Sequence, residues 1–79
     1  MSLIDDWGFE QMGGEGENIL QAIVDFAGHE VVINLWQDDE GFWGWESCEY
    51  EDYSRIAAHE PEFTSAEDAL NACISWRIY

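Results

Sequence analysis

The sequence predicts an α+β fold in which a small antiparallel sheet is packed by a C-terminal helix. From His29 onward, β-branched and aromatic residues alternate with polar ones in short segments bounded by turn residues. After Ser65, a helix start signal precedes an apolar stripe at helical spacing. The 79 residues, 47% of them hydrophobic and 15% aromatic, suffice for one domain with a modest core. We expect a single domain over residues 1–79, with an N-terminal arm and Gly-rich connector over 1–17 and an α+β body over 18–79.

The predicted strands follow from the alternation and from the turn residues between them. On the first strand, Val31, Ile33 and Leu35 share one face, whereas Val32, Asn34 and Trp36 share the other. Pro61 is expected to end the last strand, because proline cannot donate to a ladder. In chain order the predicted elements are a strand over 29–36, a hairpin loop over 37–41, a strand over 42–50, and a third, shorter strand over 54–60.

The segment 18–27 fits two kinds of structure. Asn18 with Gln21 three residues later resembles a helix N-cap and its partner, and apolar residues follow at helical spacing. The alternation of Leu20, Ala22 and Val24 fits a strand nearly as well. We predict a helix here, which gives an α-β-β-β-α order and a three-stranded sheet, with four strands if the segment is extended.

The clearest local signal is the start of the C-terminal helix. Ser65 is followed by acidic residues at the positively polarised end of a helix, as in a capping box. We predict a helix from Ala66 to about Arg77 that covers one side of the sheet. Its apolar stripe comprises Ala66, Ala69, Leu70, Cys73 and Trp76, with Ile74 beside it.

The charge balance restricts the kinds of partner. Eighteen acidic residues stand against two arginines and no lysine, for a net charge of −16. Self-repulsion of this size opposes folding, so the charge is expected to serve binding to a basic protein surface. Nucleic acids and anionic membranes are excluded as direct partners, because only Arg55 and Arg77 could contact phosphates. Adaptation to high salt is the alternative explanation.

No constellation predicts an enzyme, a metal site or a cofactor. With so many carboxylates, a catalytic pair cannot be distinguished from chance neighbours. His29 and His59 lack metal-ligand spacing, and Cys48 and Cys73 form no C-x-x-C motif. We expect both cysteines to be buried free thiols, with one disulfide as the alternative. Because neither a signal peptide nor a membrane span is recognisable, a cytoplasmic location is expected.

The candidate partner-binding residues lie in and beside the predicted hairpin. Trp43 and Trp45 are included because tryptophan is enriched in binding hot spots, although burial in the core is the competing interpretation. The candidate carboxylates are Asp38, Asp39, Glu40, Glu46, Glu49, Glu51 and Asp52, which we expect to share one surface.

Two local resemblances accompany this pattern. The predicted element order resembles the arrangement of double-stranded-RNA-binding domains, and residues 63–72 are similar to the strand-to-helix junction of HicB-type antitoxins. RNA-binding versions carry lysines at the helix start, and this sequence has none. RNA binding is therefore not expected.

In size, acidity and lack of catalytic residues, the whole chain resembles small phage-encoded anti-CRISPR proteins of the DNA-mimic type. The resemblance implies a stoichiometric inhibitor that binds a basic nucleic-acid-binding subunit of a CRISPR effector complex in a bacterial host cell. The resemblance also implies that the carboxylates block target DNA. We expect this chain to act as a monomer or weak homodimer. The alternative is an acidic immunity or antitoxin protein that neutralises a basic nuclease.

Overall fold

The computed structural model describes residues 3–14, 16–26 and 28–75, which form one antiparallel sheet with helical segments on one side. The sheet has five strands in the order β1-β2-β3-β4-β5, so every strand lies beside its neighbour in sequence. The predicted α+β class and C-terminal helix are confirmed, and the sheet is larger than expected. The elements are α1 (Leu3–Asp6), β1 (Glu10–Gln11), β2 (Ile19–Phe26), β3 (His29–Gln37), β4 (Trp43–Glu49), β5 (Arg55–Phe63) and α2 (Ala66–Ser75).

The predicted helix over 18–27 is wrong, because this segment forms strand β2. It pairs with β3 along its whole length. The polar residues that suggested a helix cap make cross-strand contacts instead: the Asn18 side chain donates to Gln37, and Gln21 Nε2 donates to Asn34 Oδ1 at 2.9 Å. Pairing with a neighbouring strand therefore outweighs the helical spacing of the apolar residues.

The N-terminal arm is more ordered than a bare connector. It contains the helical turn α1 and the two-residue strand β1, which pairs Glu10 with Gln21. The Ile4 backbone N–H also donates to Glu67 Oε2 of α2 at 3.4 Å. The arm is thus attached both to the edge of the sheet and to the helix.

The larger hydrophobic cluster lies on one side of the sheet, here called the covered face, while Val32 and Cys48 are buried on the other side. Val31, Ile33 and Leu35 of β3 are fully buried on the covered face, the common face predicted from their alternation. Leu20, Val24, Trp43 and Trp45 pack on the same side. The opposite side, here called the open face, is covered by no described element. It carries Ile19, Gln21, Ile23, Asp25, Val32, Asn34, Trp36, Glu46 and Cys48.

Helix α2 covers this core with the predicted stripe. Ala69, Leu70 and Cys73 are each 0% exposed. Ser65 caps the helix as expected, since its Oγ accepts a hydrogen bond from the Asp68 backbone N–H at 3.1 Å. Trp76 and Arg77, placed in this helix by the sequence, lie outside the described residues.

Strand β5 continues through Pro61 instead of ending before it. It is an edge strand, where a missing N–H costs fewer ladder hydrogen bonds. Its register against β4 shifts between Trp43 and Trp45, so β5 bulges at the proline. Gly44 makes room for this bulge, because a Cβ at that position would lie 2.7 Å from the His59 carbonyl oxygen.

We expect Gly44→Ala to lower the free energy of unfolding, because the added methyl group would collide with backbone atoms of β5. A cost of about 1 to 3 kcal/mol is typical of such overpacking. Thermal unfolding followed by circular dichroism should show Tm falling by at least about 4 °C. The matched control is Gly14→Ala, whose Cβ would meet nothing closer than Glu17 Oε1 at 3.7 Å. Equal Tm values for the two variants would contradict the close approach.

Candidate protein-binding surface

The structure divides the candidate carboxylates between the two ends of β4. Asp38, Asp39 and Glu40 lie in the turn before this strand, and Glu51 and Asp52 lie in the turn after it. At ~3.3 Å per residue, the seven residues of β4 separate these turns by roughly 23 Å. The carboxylates therefore form two acidic ends, not one continuous patch.

In each turn, one carboxylate holds the backbone in place. Asp38 Oδ1 accepts hydrogen bonds from the backbone N–H groups of Glu40 at 3.0 Å and Phe42 at 2.9 Å. Asp52 Oδ1 accepts from the Ser54 N–H at 3.0 Å, and this hydrogen bond lowers the pKa of Asp52 below its usual value. Both residues shape their turns, as short acidic side chains commonly do.

The carboxylates within β4 are engaged by basic side chains. Glu46 Oε2 accepts from Arg55 Nη2 at 2.7 Å and from Arg55 Nε at 2.9 Å on the open face. Glu49 contacts His29 Nε2 of the neighbouring strand. These pairs are exposed or half-exposed, so each contributes little to stability. Arg55 does reduce the charge that Glu46 could offer to a partner.

Within the described part of the chain, Asp39, Glu40 and Glu51 are the candidate carboxylates that do not stabilise a turn or a strand through a side-chain contact. All three residues are exposed. Among the described residues, their side chains have no hydrogen-bond or ion-pair partner. Of the candidate carboxylates, these can approach a basic surface without breaking an internal contact.

The two candidate tryptophans belong to the core side of the sheet. Trp45 is 1% exposed, and its ring stacks near His59 with 6.4 Å between ring centroids. Trp43 is half-buried and packs against the same core. Trp45 is therefore removed from the binding surface. Trp36, on the open face, is half-buried without covering the core.

Sequence reasoning missed the exposed part of β2. Ile23 is 51% exposed, and the helical interpretation counted it among the apolar residues at helical spacing. Its register partner is Val32, so it points to the open face. The alternative strand pattern carried this signal, since it separates Ile23 from the Leu20, Ala22 and Val24 side.

At the end of the sheet where β2 turns into β3, a recess of about 220 Å³ is bordered by acidic residues. Asp25 Oδ1 accepts a hydrogen bond from the Gly28 backbone N–H at 2.7 Å, and Gly28 adopts a left-handed conformation at φ 83° that favours glycine. The recess is lined by Gly28, His29, Glu30, Glu49, Tyr50 and Glu51.

Both cysteines are free and buried. Burial raises the pKa of the Cys73 thiol to about 12. The pKa of Cys48 is also raised, first by burial and then by the negative charge of Glu46. Neither thiol has the exposed, electropositive surroundings that make a cysteine reactive.

Within residues 3–14, 16–26 and 28–75, no group of His, Cys, Asp and Glu side chains is arranged to hold a metal ion. In the same part of the chain, no helix is long and apolar enough to cross a membrane.

Comparisons with protein-family models, with curated proteins and with solved structures gave no significant match. The function therefore has to be inferred from the charge and geometry of the chain itself.

Removing a turn carboxylate should lower the free energy of unfolding only where that carboxylate accepts backbone hydrogen bonds. Asp38→Ala loses two hydrogen bonds to backbone N–H groups and should lower the free energy of unfolding by about 1 kcal/mol. Asp39→Ala, its neighbour, loses only a repulsive charge and should leave stability unchanged or slightly higher. Urea unfolding of both variants in the same buffer provides the measurement. An equal loss in both would contradict the assignment of Asp38 to turn formation.

The raised pKa predicts that Cys73 is chemically protected while the protein is folded. A native pKa of about 12, against 9.0 for an ordinary thiol, lowers the reactive thiolate fraction about a thousandfold near pH 8. Because the native value exceeds the unfolded one, this thiol's contribution to stability is complete below pH 9 and is lost as pH rises through 12.

Labelling with a thiol reagent checks this prediction in Cys48→Ser, where Cys73 is the remaining cysteine. The folded variant should react only as fast as it opens, and the same variant in urea should react at the rate of a free thiol. Labelling at equal rates in the two conditions would show that Cys73 is accessible in the native state.

Proposed function

We propose that this protein is a stoichiometric inhibitor, of the anti-CRISPR type, that occupies a basic nucleic-acid-binding surface of a CRISPR effector complex in the cytoplasm of a bacterial host. Its carboxylates take the place of target DNA phosphates on lysines and arginines of the effector. The supporting observation is the lack of internal neutralisation: Arg55 is the single arginine among the described residues, and it is already paired with Glu46.

The density of charge supports imitation of a nucleic acid. The molecule is 35 Å long, and a DNA duplex of that length carries about 20 phosphate charges. The net charge of the chain is −16, so its charge per unit length is close to that of a duplex. A groove that attracts DNA would attract this protein by the same electrostatic force.

The two acidic ends supply separate contact points. Asp38 fixes the turn that presents Asp39 and Glu40, and Asp52 fixes the turn that presents Glu51. Holding charges in fixed turns reduces the ordering cost of association. Long-range attraction raises the association rate, and salt should weaken it strongly.

An immunity or antitoxin protein directed at a basic nuclease would use the same charge. The two functions differ in the partner captured, so the first experiment has to identify that partner.

The test is a pull-down with the full chain from cells that carry a CRISPR effector complex, followed by DNA competition on the retained complex. We expect capture of the effector and mutually exclusive binding of target DNA, with affinity falling as salt rises. Capture of a lone nuclease would favour the immunity function. Capture of the effector without DNA competition would contradict mimicry.

A pair of charge-reversal variants separates local contact from net charge. Asp39→Lys with Glu40→Lys should weaken effector binding by at least about tenfold, because a hydrogen-bonded or close charge pair contributes more than ~1.4 kcal/mol. The matched control is Asp6→Lys with Glu60→Lys, which changes the net charge equally at exposed positions outside the 38–42 turn. Equal loss in both would mean that net charge, not this turn, drives binding.

A further inference from the structure

The outer edge of β2 is only partly used by the fold. Strand β1 pairs with Leu20 and Gln21 alone, whereas β2 continues to Phe26. From residue 22 onward, no described strand lies against this edge. A sheet edge of this kind presents backbone donors and acceptors to whatever chain approaches it.

The direction of these backbone groups follows from the hydrogen bonds at the start of the strand. The Ile19 carbonyl accepts from the Met12 N–H at 2.7 Å on the β1 side, and the Asn18 carbonyl accepts from the Gln37 N–H at 3.0 Å on the β3 side. Successive residues of a strand bond to opposite neighbours. The N–H and C=O groups of Ile23 and Asp25 therefore point away from β3, toward the open edge.

A recess lies beside the same part of the edge. It encloses about 190 Å³ where β1 begins, and it is lined by Gly8, Glu10, Gln21, Ala22 and Ile23. Gly8, at φ 70°, forms part of the turn after α1 and does not pair with Ile23. A chain segment placed in line with β1 would meet the outward backbone groups of Ile23 and Asp25.

The opposite edge of the sheet differs in ways that discourage strand addition. Strand β5 contains Pro61, two register irregularities against β4, and the exposed acids Glu60 and Glu62. Prolines, bulges and charges are the usual means by which proteins protect a sheet edge. The β2 edge has neither a proline nor a bulge between residues 19 and 26.

We propose that the β2 edge at Ile23–Asp25 is the docking site for an extended, lysine- or arginine-bearing segment of the partner, which adds as a strand in line with β1. The basic character of this segment rests on the proposed function and on local charge. Asp25 lies directly opposite Glu30 across β2 and β3, and both are exposed. Such like-charged pairs are destabilising, so a cationic side chain beside them relieves repulsion.

A second copy of this chain is the less suitable occupant of the same edge. Each copy carries a net charge of −16, so edge-to-edge pairing would bring two strongly repelling bodies together. An extended basic segment obtains the same backbone hydrogen bonds and gains electrostatic attraction as well.

The test uses the full-length protein and a synthetic peptide of alternating valine and lysine as the probe. Its control is the same peptide with methylated backbone nitrogens, which keeps the charge but cannot donate to an edge. We expect the unmethylated peptide to slow amide hydrogen exchange at Ile23 and Asp25, measured by NMR. Methylation should weaken binding about tenfold, the equivalent of one or two lost hydrogen bonds.

A pair of substitutions at one position gives an independent check. Ile23→Pro removes an outward N–H without removing a hydrogen bond to β3, and should weaken binding of the unmethylated peptide about tenfold. Ile23→Thr removes apolar surface, keeps the N–H, and should bind within a few-fold of the original protein. Circular dichroism checks that both variants are folded. If Ile23→Pro does not fold, the comparison of the two peptides on the unsubstituted protein still tests the docking site.

The outcomes distinguish failure of this site from failure of the proposed function. Equal binding of the two peptides would overturn strand addition while leaving charge-driven inhibition intact. Absence of peptide binding would overturn the proposal of a docking site at the β2 edge. The pull-down of the effector would still test the proposed inhibitory function separately. Self-association of the protein alone, seen by ultracentrifugation and abolished by Ile23→Pro, would assign the edge to a second copy and overturn the basic-segment proposal.

Discussion

The packing of α2 against β3 and β4 is the contact on which the rest of the structure depends. Ala69, Leu70 and Cys73 belong to one buried cluster with Val31, Ile33 and Leu35, and further partly buried hydrophobic residues of the chain pack against this cluster. A chain of this size covers one face of a five-stranded sheet and leaves the other uncovered by described elements. Most of the candidate carboxylates accordingly lie in the turns at the two ends of β4, and Glu46 lies on the open face.

Charge and folding are in conflict in this molecule, and the turns show how the conflict is contained. Asp38 and Asp52 each direct a carboxylate oxygen at backbone N–H groups, so a negative charge that would otherwise only repel contributes to local structure. Arg55 neutralises Glu46 on the open face. Carboxylates such as Asp39 and Glu51 have no such role, and they are the part of the charge that folding does not explain.

The sequence was informative wherever a local rule and the tertiary environment agreed. Alternation in β3 and the Ser65 cap of α2 each predicted the observed element. Strand β2 was mispredicted because Leu20, Ile23 and Val24 fit the helical period while Leu20, Ala22 and Val24 fit the strand period, and only pairing with β3 decides between them. The strand end predicted at Pro61 is wrong, because edge position is a property of the sheet, not of the segment. The sequence analysis expected the candidate carboxylates to share one surface, whereas the structure divides them between two ends, since turns that flank one strand are close in sequence and distant in space.

The uneven protection of the two sheet edges follows from the same charge balance. Proteins often place lysine on an edge strand to prevent pairing between molecules, and this chain has no lysine. β5 carries a proline and glutamates instead, whereas β2 carries only Asp25 on its outward-facing segment beyond β1. Repulsion between identical, highly charged molecules already opposes edge-to-edge pairing, so the β2 edge can remain open at little risk of self-association. The negative charge that repels a second copy attracts a basic chain. An open edge that would promote aggregation in a neutral protein would therefore favour basic partners in this one.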